Sequence, residues 1–213
     1  MLKLYSYFRS SASYRVRIAL ELKGLHYECM PVHLVRGGGE QHSAAFAVLN
    51  PAELVPVLVD DDFTLTQSLA MIEYIDELYP LPTLLPADAR GRARVRSLAQ
   101  TIACEIHPLN NLRVLQQLEA MFGASPEART DWYAHWVANG LGVVEAALGQ
   151  APAGFCHGNT PTLADCCLVP QVYNAVRFGI SLKKFPRIRR VNDACMDLEA
   201  FQRASPEAQP DAP

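Results

Sequence analysis

The sequence has no long apolar segment and little charge. In 213 residues, no hydrophobic run approaches the roughly 20 residues that a helix needs to cross a bilayer. The first residues enter an alternating pattern directly, without a charged and then apolar leader, so we expect neither a membrane segment nor a secretion signal. Charged residues make up 19% of the chain and the net charge is −3, which argues against a general nucleic-acid-binding protein.

Metal-binding patterns are missing as well. The six cysteines are scattered, none forms a C-x-x-C pair, and no histidine or cysteine spacing suits zinc. Cys166 and Cys167 are adjacent on a predicted helix, where they would point about 100° apart. Because scattered single cysteines are typical of a reducing compartment, we expect a cytoplasmic protein that binds no metal.

A cluster of small hydroxyl residues stands where a strand is predicted to pass into a helix. The alternating run 2–7 predicts the strand, and apolar residues at helical spacing from Val16 predict a helix that stops at Gly24. Ser10 and Ser11 lie at the junction. Helix N-termini carry unpaired N–H groups and a partial positive charge, so an anion such as a thiolate is stabilised there. A serine that is only the N-cap explains the same residues, and this segment alone leaves both interpretations open.

The first eighty residues alternate strands with helices. After the first strand and helix, the pattern predicts a strand at 27–34, a short helix ending near Leu49, two strands that turn at 60–62, and a helix from 66 to 79. Pro56 opens the first of the paired strands, a position that proline tolerates because the ladder there needs no donor. The Val55–Pro56 bond is a candidate for the cis form. This order predicts an α/β domain.

The remainder of the chain shows only helical spacing. The segment 81–87 carries two prolines and no periodicity, which predicts a linker, and residues 88–213 predict an all-helical domain. Pro108 should bend its helix because it removes one backbone hydrogen bond. Trp132 and Trp136 are expected in the core of a later helix. The segment 205–213 should wrap against the protein or fray.

Thr162 to Asp165 has the form of a capping box, in which the acid reaches back to the backbone of the threonine. A catalytic acid is the alternative, and the spacing favours the structural interpretation. In the first domain, strand ends and helix starts converge on one crevice. A peptide could pair its backbone with Val55 there, and the helix start at Gln67 and Ser68 suits a carboxylate. Ordinary capping explains the last two residues equally well.

Several motifs resemble the signature sequences of zeta-class glutathione transferases, and together they cover nearly the whole chain. They are the segments 5–20, 54–56, 67–70, 106–113, 162–165 and 168–172. Ala12 stands where the family often has a cysteine, so no cysteine role is expected at that position. The resemblance implies a thioredoxin-like glutathione-binding domain at 1–80, a linker at 81–87 and an all-helical substrate-site domain at 88–213, in a homodimer.

The resemblance also implies a reaction. Members of this class isomerise maleylacetoacetate to fumarylacetoacetate in aromatic amino-acid catabolism, with glutathione as the cofactor. A thiolate that adds to the cis double bond, permits rotation and then leaves would perform this reaction without being consumed. Isomerisation of maleylpyruvate, glutathione conjugation of small halogenated acids and a non-catalytic binding protein are the alternatives. The presence of the Arg9-Ser10 pair and of Gln67-Ser68 argues against the last of these.

The resemblance assigns the chemistry to a few residues. Ser10 is the predicted donor to the thiolate, with Ser11 second, and Arg9 completes the catalytic set. Arg9, Arg113 and Arg177 are predicted to bind the carboxylates of an unsaturated dicarboxylate substrate, because a planar guanidinium can bind both oxygens. For each arginine, simple exposure on the surface is the alternative.

Glutathione is expected to contact a larger set. The γ-glutamyl carboxylate is assigned to Gln67 and Ser68, the cysteinyl backbone to Val55 and the glycyl end to Gln41. For His107 a packing role is the alternative. The full predicted set is Ser10, Ser11, Ala12, Ser13, Tyr14, Arg15, Gln41, Val55, Gln67, Ser68, His107, Asn111, Leu112 and Arg113.

Overall fold

The computed structural model describes residues 1–149 and 154–213. The strands are β1 (Leu2–Ser6), β2 (Glu28–Pro31), β3 (Val57–Asp60) and β4 (Phe63–Thr66). The helices are α1 (Ser11–Leu22), α2 (Ala44–Leu49), α3 (Ser68–Leu78), α4 (Ala89–Gln100), α5 (Leu112–Phe122), α6 (Pro126–Leu148), α7 (Leu163–Arg177), α8 (Pro186–Met196) and α9 (Glu199–Ala204). A π-helical segment, Thr101–Ile106, continues α4.

Within the described residues, four strands form one mixed sheet in the order β2-β1-β3-β4. β1 is parallel to β2 and antiparallel to β3, and β3 is antiparallel to β4. Leu4 and Leu58 face each other across the two inner strands and are fully buried. The predicted order of strands and helices is confirmed, and with it the thioredoxin-like domain followed by a helical region. The Val55–Pro56 bond is cis, as is the Leu81–Pro82 bond.

The chain divides into two compact units. The first contains Met1–Leu84 and Met196–Pro213, and the second contains Leu85–Cys195. The boundary falls inside the predicted linker 81–87, where Leu84 and Leu85 are buried. Both side chains are buried because removing the apolar surface of leucine from water lowers the free energy of the folded state.

The C-terminal segment belongs to the first unit, whereas the sequence had placed it in the helical domain. The reason is a set of contacts between α1 and the segment around α9. The Tyr14 hydroxyl donates to the Phe201 carbonyl at 3.3 Å, and Arg17 Nε donates to the Ala204 carbonyl at 3.0 Å. The terminal residues therefore wrap against the first unit, which was one of the two predicted alternatives.

The helix that contains Pro108 is broken rather than bent. The π-helical segment ends before His107, and a 3-10 turn at Pro108–Asn110 follows. Asn111 then caps a new helix, α5, because its side-chain oxygen accepts from the Arg113 N–H at 3.1 Å. The prediction of one continuous bent helix was wrong, since an asparagine that can cap lies just beyond a proline that cannot donate.

The aromatic core of α6 also differs from the prediction. Trp132 and Trp136 are only half-buried, whereas Tyr133 between them is buried. Tyr133 stacks on Phe178 with ring centroids 3.7 Å apart. Burial raises the pKa of Tyr133 to about 12. Trp132 instead uses its indole N–H to bind the Leu109 carbonyl at 2.7 Å.

The structural interpretation of Asp165 is confirmed. One carboxylate oxygen accepts from both the backbone N–H and the hydroxyl of Thr162 at 2.8 Å, and the other accepts from the Cys156 N–H at 2.8 Å. The residue is fully buried, and burial raises the pKa of its carboxyl group against the opposing effect of these hydrogen bonds. In the part of the chain that the structure describes, no helix is long and apolar enough to cross a membrane.

Candidate active site

The N-terminus of α1 is formed by the predicted serine cluster. Ser10 is the N-cap, and its Oγ accepts from the Ser13 N–H at 3.2 Å. The N-cap interpretation is therefore confirmed, but it does not exclude a hydrogen bond from Ser10 to a bound thiolate. A hydroxyl has one proton to donate as well as lone pairs that accept. While its oxygen caps the helix, the Ser10 O–H can still donate to an external thiolate.

No acidic side chain lies in the first turn of α1. Ser10 is half-buried and Ser11 is buried, so the junction is partly open to solvent. An acid in this turn would neutralise the partial positive charge of the helix end. Because the first turn of α1 has no acid, the partial positive charge of this helix end can stabilise a bound anion.

Ala12, which follows the two serines, is half-buried, and the three residues after it point into the unit. Ser13, Tyr14 and Arg15 are at most 2% exposed. Tyr14 is bonded to α9, and Arg15 Nη1 donates to Ser68 Oγ at 3.2 Å. Their side chains are turned away from solvent, and their contacts with glutathione stay predictions.

The N-terminus of α3 is joined to that of α1 through the same arginine. Ser68, the first residue of α3, is buried and accepts from Arg15. Gln67 occupies the N-cap position with φ 71°, but its side chain makes no capping hydrogen bond within the described chain. Ordinary capping by the Gln67 side chain is therefore wrong. The exposed amide and the first N–H groups of α3 lie together at a helix start that has no acid in its first turn.

Val55 precedes the cis bond to Pro56 and is largely buried. Its backbone N–H and C=O make no hydrogen bond with the rest of the described chain. Buried backbone groups are almost always paired. An extended peptide that bound beside Val55 would satisfy both groups.

Gln41 is connected to the loop before Val55 through the side chains of His42 and Glu53. It is buried in the 3-10 turn Glu40–His42, and its Nε2 lies 2.9 Å from His42 Nε2. The Nδ1 of His42 pairs with the carboxylate of Glu53, two residues before Val55. The Gln41 amide donates to Nε2 when the histidine proton is on Nδ1, which then donates to Glu53. Gln41 Oε1 has no hydrogen-bond partner among the described residues.

Arg9 is exposed but is held in place by two aromatic rings. Its Nη2 donates to the Tyr7 hydroxyl at 3.2 Å, and its guanidinium lies 5.2 Å from the centroid of the Phe8 ring. It lines a pocket of about 540 Å³ together with His33 and Arg36 and the terminal segment Pro210–Pro213. Arg9 therefore presents a fixed cation next to Ser10.

Comparison with known proteins decides the family. Residues 1–77 match the glutathione S-transferase N-terminal domain. The chain is 51% identical over 209 residues to a probable maleylacetoacetate isomerase of Vibrio cholerae, which covers 98% of this chain and 97% of that protein. It is 49% identical to a maleylpyruvate isomerase described as a bacterial zeta-class glutathione transferase, whose holo structure superposes with a TM-score of 0.96 and covers 99% and 100% of the two chains. The chain belongs to the zeta-class glutathione transferases.

A further solved structure carries ligands. The maleylacetoacetate isomerase of Methylobacterium extorquens AM1, crystallised with bound malonate and GSH, is 39% identical to this zeta-class transferase. Its TM-score is 0.95, and the match covers 99% of each chain.

The remaining residues of this transferase that were predicted to bind glutathione or substrate lie in its second unit. Asn111 caps α5, Leu112 and Arg113 are exposed, and Arg113 lines a separate groove of about 420 Å³. His107 is half-buried, and its N–H donates to the Ile102 carbonyl at 3.0 Å. Arg177 is exposed, with its guanidinium 4.4 Å from the centroid of the Phe178 ring. The roles of these residues toward glutathione or substrate stay predictions.

Sequence reasoning missed the residue that shapes the Ser10 loop. Arg17 is fully buried and donates to the carbonyls of Tyr7 and Phe8 at 3.4 and 2.9 Å and to Ser6 Oγ at 3.1 Å. Burial lowers the pKa of Arg17. The available signal was an arginine within an apolar helix, since a buried guanidinium needs several acceptors. No group of three metal-ligating side chains occurs among residues 1–149 and 154–213.

Proposed function

We propose that this protein is a glutathione-dependent isomerase that converts maleylacetoacetate to fumarylacetoacetate in the breakdown of tyrosine and related aromatic amino acids. The 51% identity over 209 residues to a probable maleylacetoacetate isomerase supports this reaction. The structural observation that carries the proposal is the N-terminus of α1, where the Ser10 hydroxyl lies at a helix end with no acid in the first turn. Such a helix end stabilises a thiolate.

Three contacts would hold glutathione. The exposed Gln67 amide and the free N–H groups of α3 suit the γ-glutamyl carboxylate. The unpaired backbone groups of Val55 suit the cysteinyl backbone, as in strand addition. Gln41, whose neighbour His42 pairs with Glu53 beside Val55, is the proposed residue for the glycyl end of an extended tripeptide that spans these positions. The GSH-bound structure of a relative supports glutathione as the cofactor.

Bound glutathione would supply a thiolate that adds to the cis double bond, so that the bond becomes single and can rotate; the C–S bond then breaks, the thiolate leaves and the double bond re-forms as the trans isomer. The Ser10 O–H donates to that sulfur and favours its ionised form. The α1 terminus adds the field of its N–H groups. Arg9 would bind a substrate carboxylate and stabilise the negative charge that develops on the substrate oxygens. Arg113 and Arg177, in the second unit, are proposed as further residues for the substrate carboxylates. Malonate in the relative's structure supports a dicarboxylate substrate.

The proposed assignment of regions follows the sequence. Residues 1–80 form the proposed glutathione-binding region, and the helical residues from 88 onward form the proposed substrate-site region, apart from the segment Met196–Pro213, which belongs to the first unit. We also propose a cytoplasmic homodimer. All six cysteines are free thiols, which supports the reducing compartment.

Maleylpyruvate isomerisation, as in gentisate breakdown, is the second candidate. The superposition on a maleylpyruvate isomerase with a TM-score of 0.96 favours it. Both substrates offer a cis double bond next to a carbonyl group and two acidic ends, so the residues described above serve either one.

An isomerisation assay with each substrate, with and without glutathione, tests the proposal. We expect turnover that requires glutathione, no net consumption of glutathione, and a higher kcat/KM for maleylacetoacetate. A higher kcat/KM for maleylpyruvate would select the second candidate. Glutathione binding without turnover of either substrate would contradict both.

A further inference from the structure

The loop that carries Arg9 and Ser10 is held from two sides. On one side, the buried Arg17 donates to its carbonyl groups. On the other, the Phe8 N–H donates to Asp211 Oδ2 at 2.9 Å, across 203 residues of sequence. The residue next to the proposed catalytic pair is thus fixed through its carbonyl and its amide.

Asp211 is itself held by the terminal segment. Gln209 is buried, and its amide donates to the carbonyls of Arg203 and Ser205 at 3.0 and 2.9 Å. The Ala212 N–H returns to the Gln209 carbonyl at 3.0 Å. This turn orients the carboxylate toward the loop.

The terminal segment makes apolar contacts through Ala212 and an electrostatic interaction through Asp211. Ala212 packs against the hydrophobic cluster that contains Tyr7 and Phe8. The negative charge of Asp211 acts on the buried guanidinium of Arg17, where it favours the charged form. The two charges that hold the loop are therefore of opposite sign and support each other.

We propose that Asp211 is a positioning residue for the isomerase reaction: its carboxylate fixes the Phe8 amide and so places the Ser10 hydroxyl against the thiolate and Arg9 against the substrate. The inference rests on the proposed function for the place of the thiolate. A hydrogen bond to a charged acceptor is stronger than one between neutral groups. A small displacement of a catalytic group is costly, since about 1 Å is worth about a hundredfold in rate.

The test compares Asp211→Ala with Asp211→Asn, whose side-chain carbonyl can still accept from Phe8. Asp197→Ala is the matched control, because Asp197 is an exposed acid in the same C-terminal segment. The readouts are kcat/KM for isomerisation, the pKa of glutathione bound to the protein, followed by thiolate absorbance, and the melting temperature.

We expect Asp211→Ala to lower kcat/KM about 10- to 100-fold and to raise the pKa of the bound thiol. Asp211→Asn keeps an acceptor for the Phe8 N–H but loses the charge, so it should restore part of both values. Asp197→Ala should change neither. A lower melting temperature with unchanged kcat/KM and thiol pKa would show a merely structural role and overturn the proposal. So would an asparagine variant as impaired as the alanine variant.

Two further arms keep the result decisive. If the alanine variant does not fold, Asp211→Glu replaces it; this variant keeps the charge but displaces the carboxylate, and unchanged kcat/KM would contradict positioning by Asp211. If the wild-type protein lowers the thiol pKa but turns over neither substrate, the proposed function fails. The thiol pKa of the Asp211 variants still decides the positioning role in that case.

Discussion

Two helix N-termini in this chain are capped by side chains of different charge: α7 by an acid and α1 by a neutral serine. At α7 the capping acid Asp165 comes from the helix itself, is fully buried and accepts three hydrogen bonds at 2.8 Å. At α1 the cap is the neutral, half-buried Ser10, and no acid lies in the first turn. A helix end that is satisfied by its own carboxylate can only stabilise the fold. One that is capped by a hydroxyl retains its field for a ligand.

The largest predicted effect comes from giving α1 an acid of its own. Ser10→Asp should lower kcat/KM for isomerisation more than about a thousandfold, because a carboxylate at the N-cap repels the thiolate and removes the hydroxyl donor. Aspartate caps helices as well as serine does. The free energy of unfolding, measured with urea, should therefore change by less than about 0.5 kcal/mol.

Ser125 offers the control for this variant. Its Oγ also accepts a capping hydrogen bond, from the Ala128 N–H at 3.2 Å, but the first turn of α6 already contains an acid, Glu127. Ser125→Asp should leave kcat/KM unchanged. Equal losses from the two variants, or a Ser10→Asp variant that keeps its activity, would contradict a special role for the α1 terminus.

The reverse change removes the acid from α7. Asp165→Ala should lower the free energy of unfolding by about 3 kcal/mol, since it deletes a cap and leaves buried N–H groups without acceptors. Asp193→Ala, an exposed acid of α8, should cost less than about 0.5 kcal/mol. A urea titration that gave the same small cost for both would mean that the capping box contributes little.

Arg9 tests whether the open terminus serves the substrate as well as the thiolate. Arg9→Met should raise KM for maleylacetoacetate about 10- to 100-fold, because it removes a charged hydrogen bond to a carboxylate. The KM for glutathione should change far less. Equal increases in the two constants would argue against a substrate-carboxylate role.

The smallest effect is a pH dependence in the second unit. Burial raises the pKa of Tyr133 to about 12 from its ordinary value of 10.0. The unfolded chain then loses this proton at lower pH, so the contribution of Tyr133 to stability is complete below about pH 10 and declines as the pH rises toward 12. At pH 11 the loss is on the order of 1 kcal/mol. Tyr133→Phe should remove this part of the alkaline slope in urea titrations between pH 9 and pH 12, and an unchanged slope would contradict it.

The sequence predicted local features best. The serine cap of α1 and the capping box of α7 each depend on neighbouring residues, so their patterns are readable within a few positions. Asn111 could have been recognised in the same way, as a cap just after a proline.

Distant contacts could not be predicted. Arg17 reaches the Ala204 carbonyl across 187 residues, and the Phe8 amide reaches Asp211 across 203. Backbone carbonyl and amide groups occur at almost every position and so leave no pattern in the sequence. For that reason the terminal segment was assigned to the wrong half of the chain.

The most direct test of the central claim is the pKa of glutathione bound to the wild-type protein, to Ser10→Ala and to Ser11→Ala. The pKa of a free cysteine thiol is about 8.5. We predict a clearly lower pKa in the wild type, a return toward the free value in Ser10→Ala and little change in Ser11→Ala. An unlowered pKa in the wild type, or a return in Ser11→Ala alone, would contradict the account.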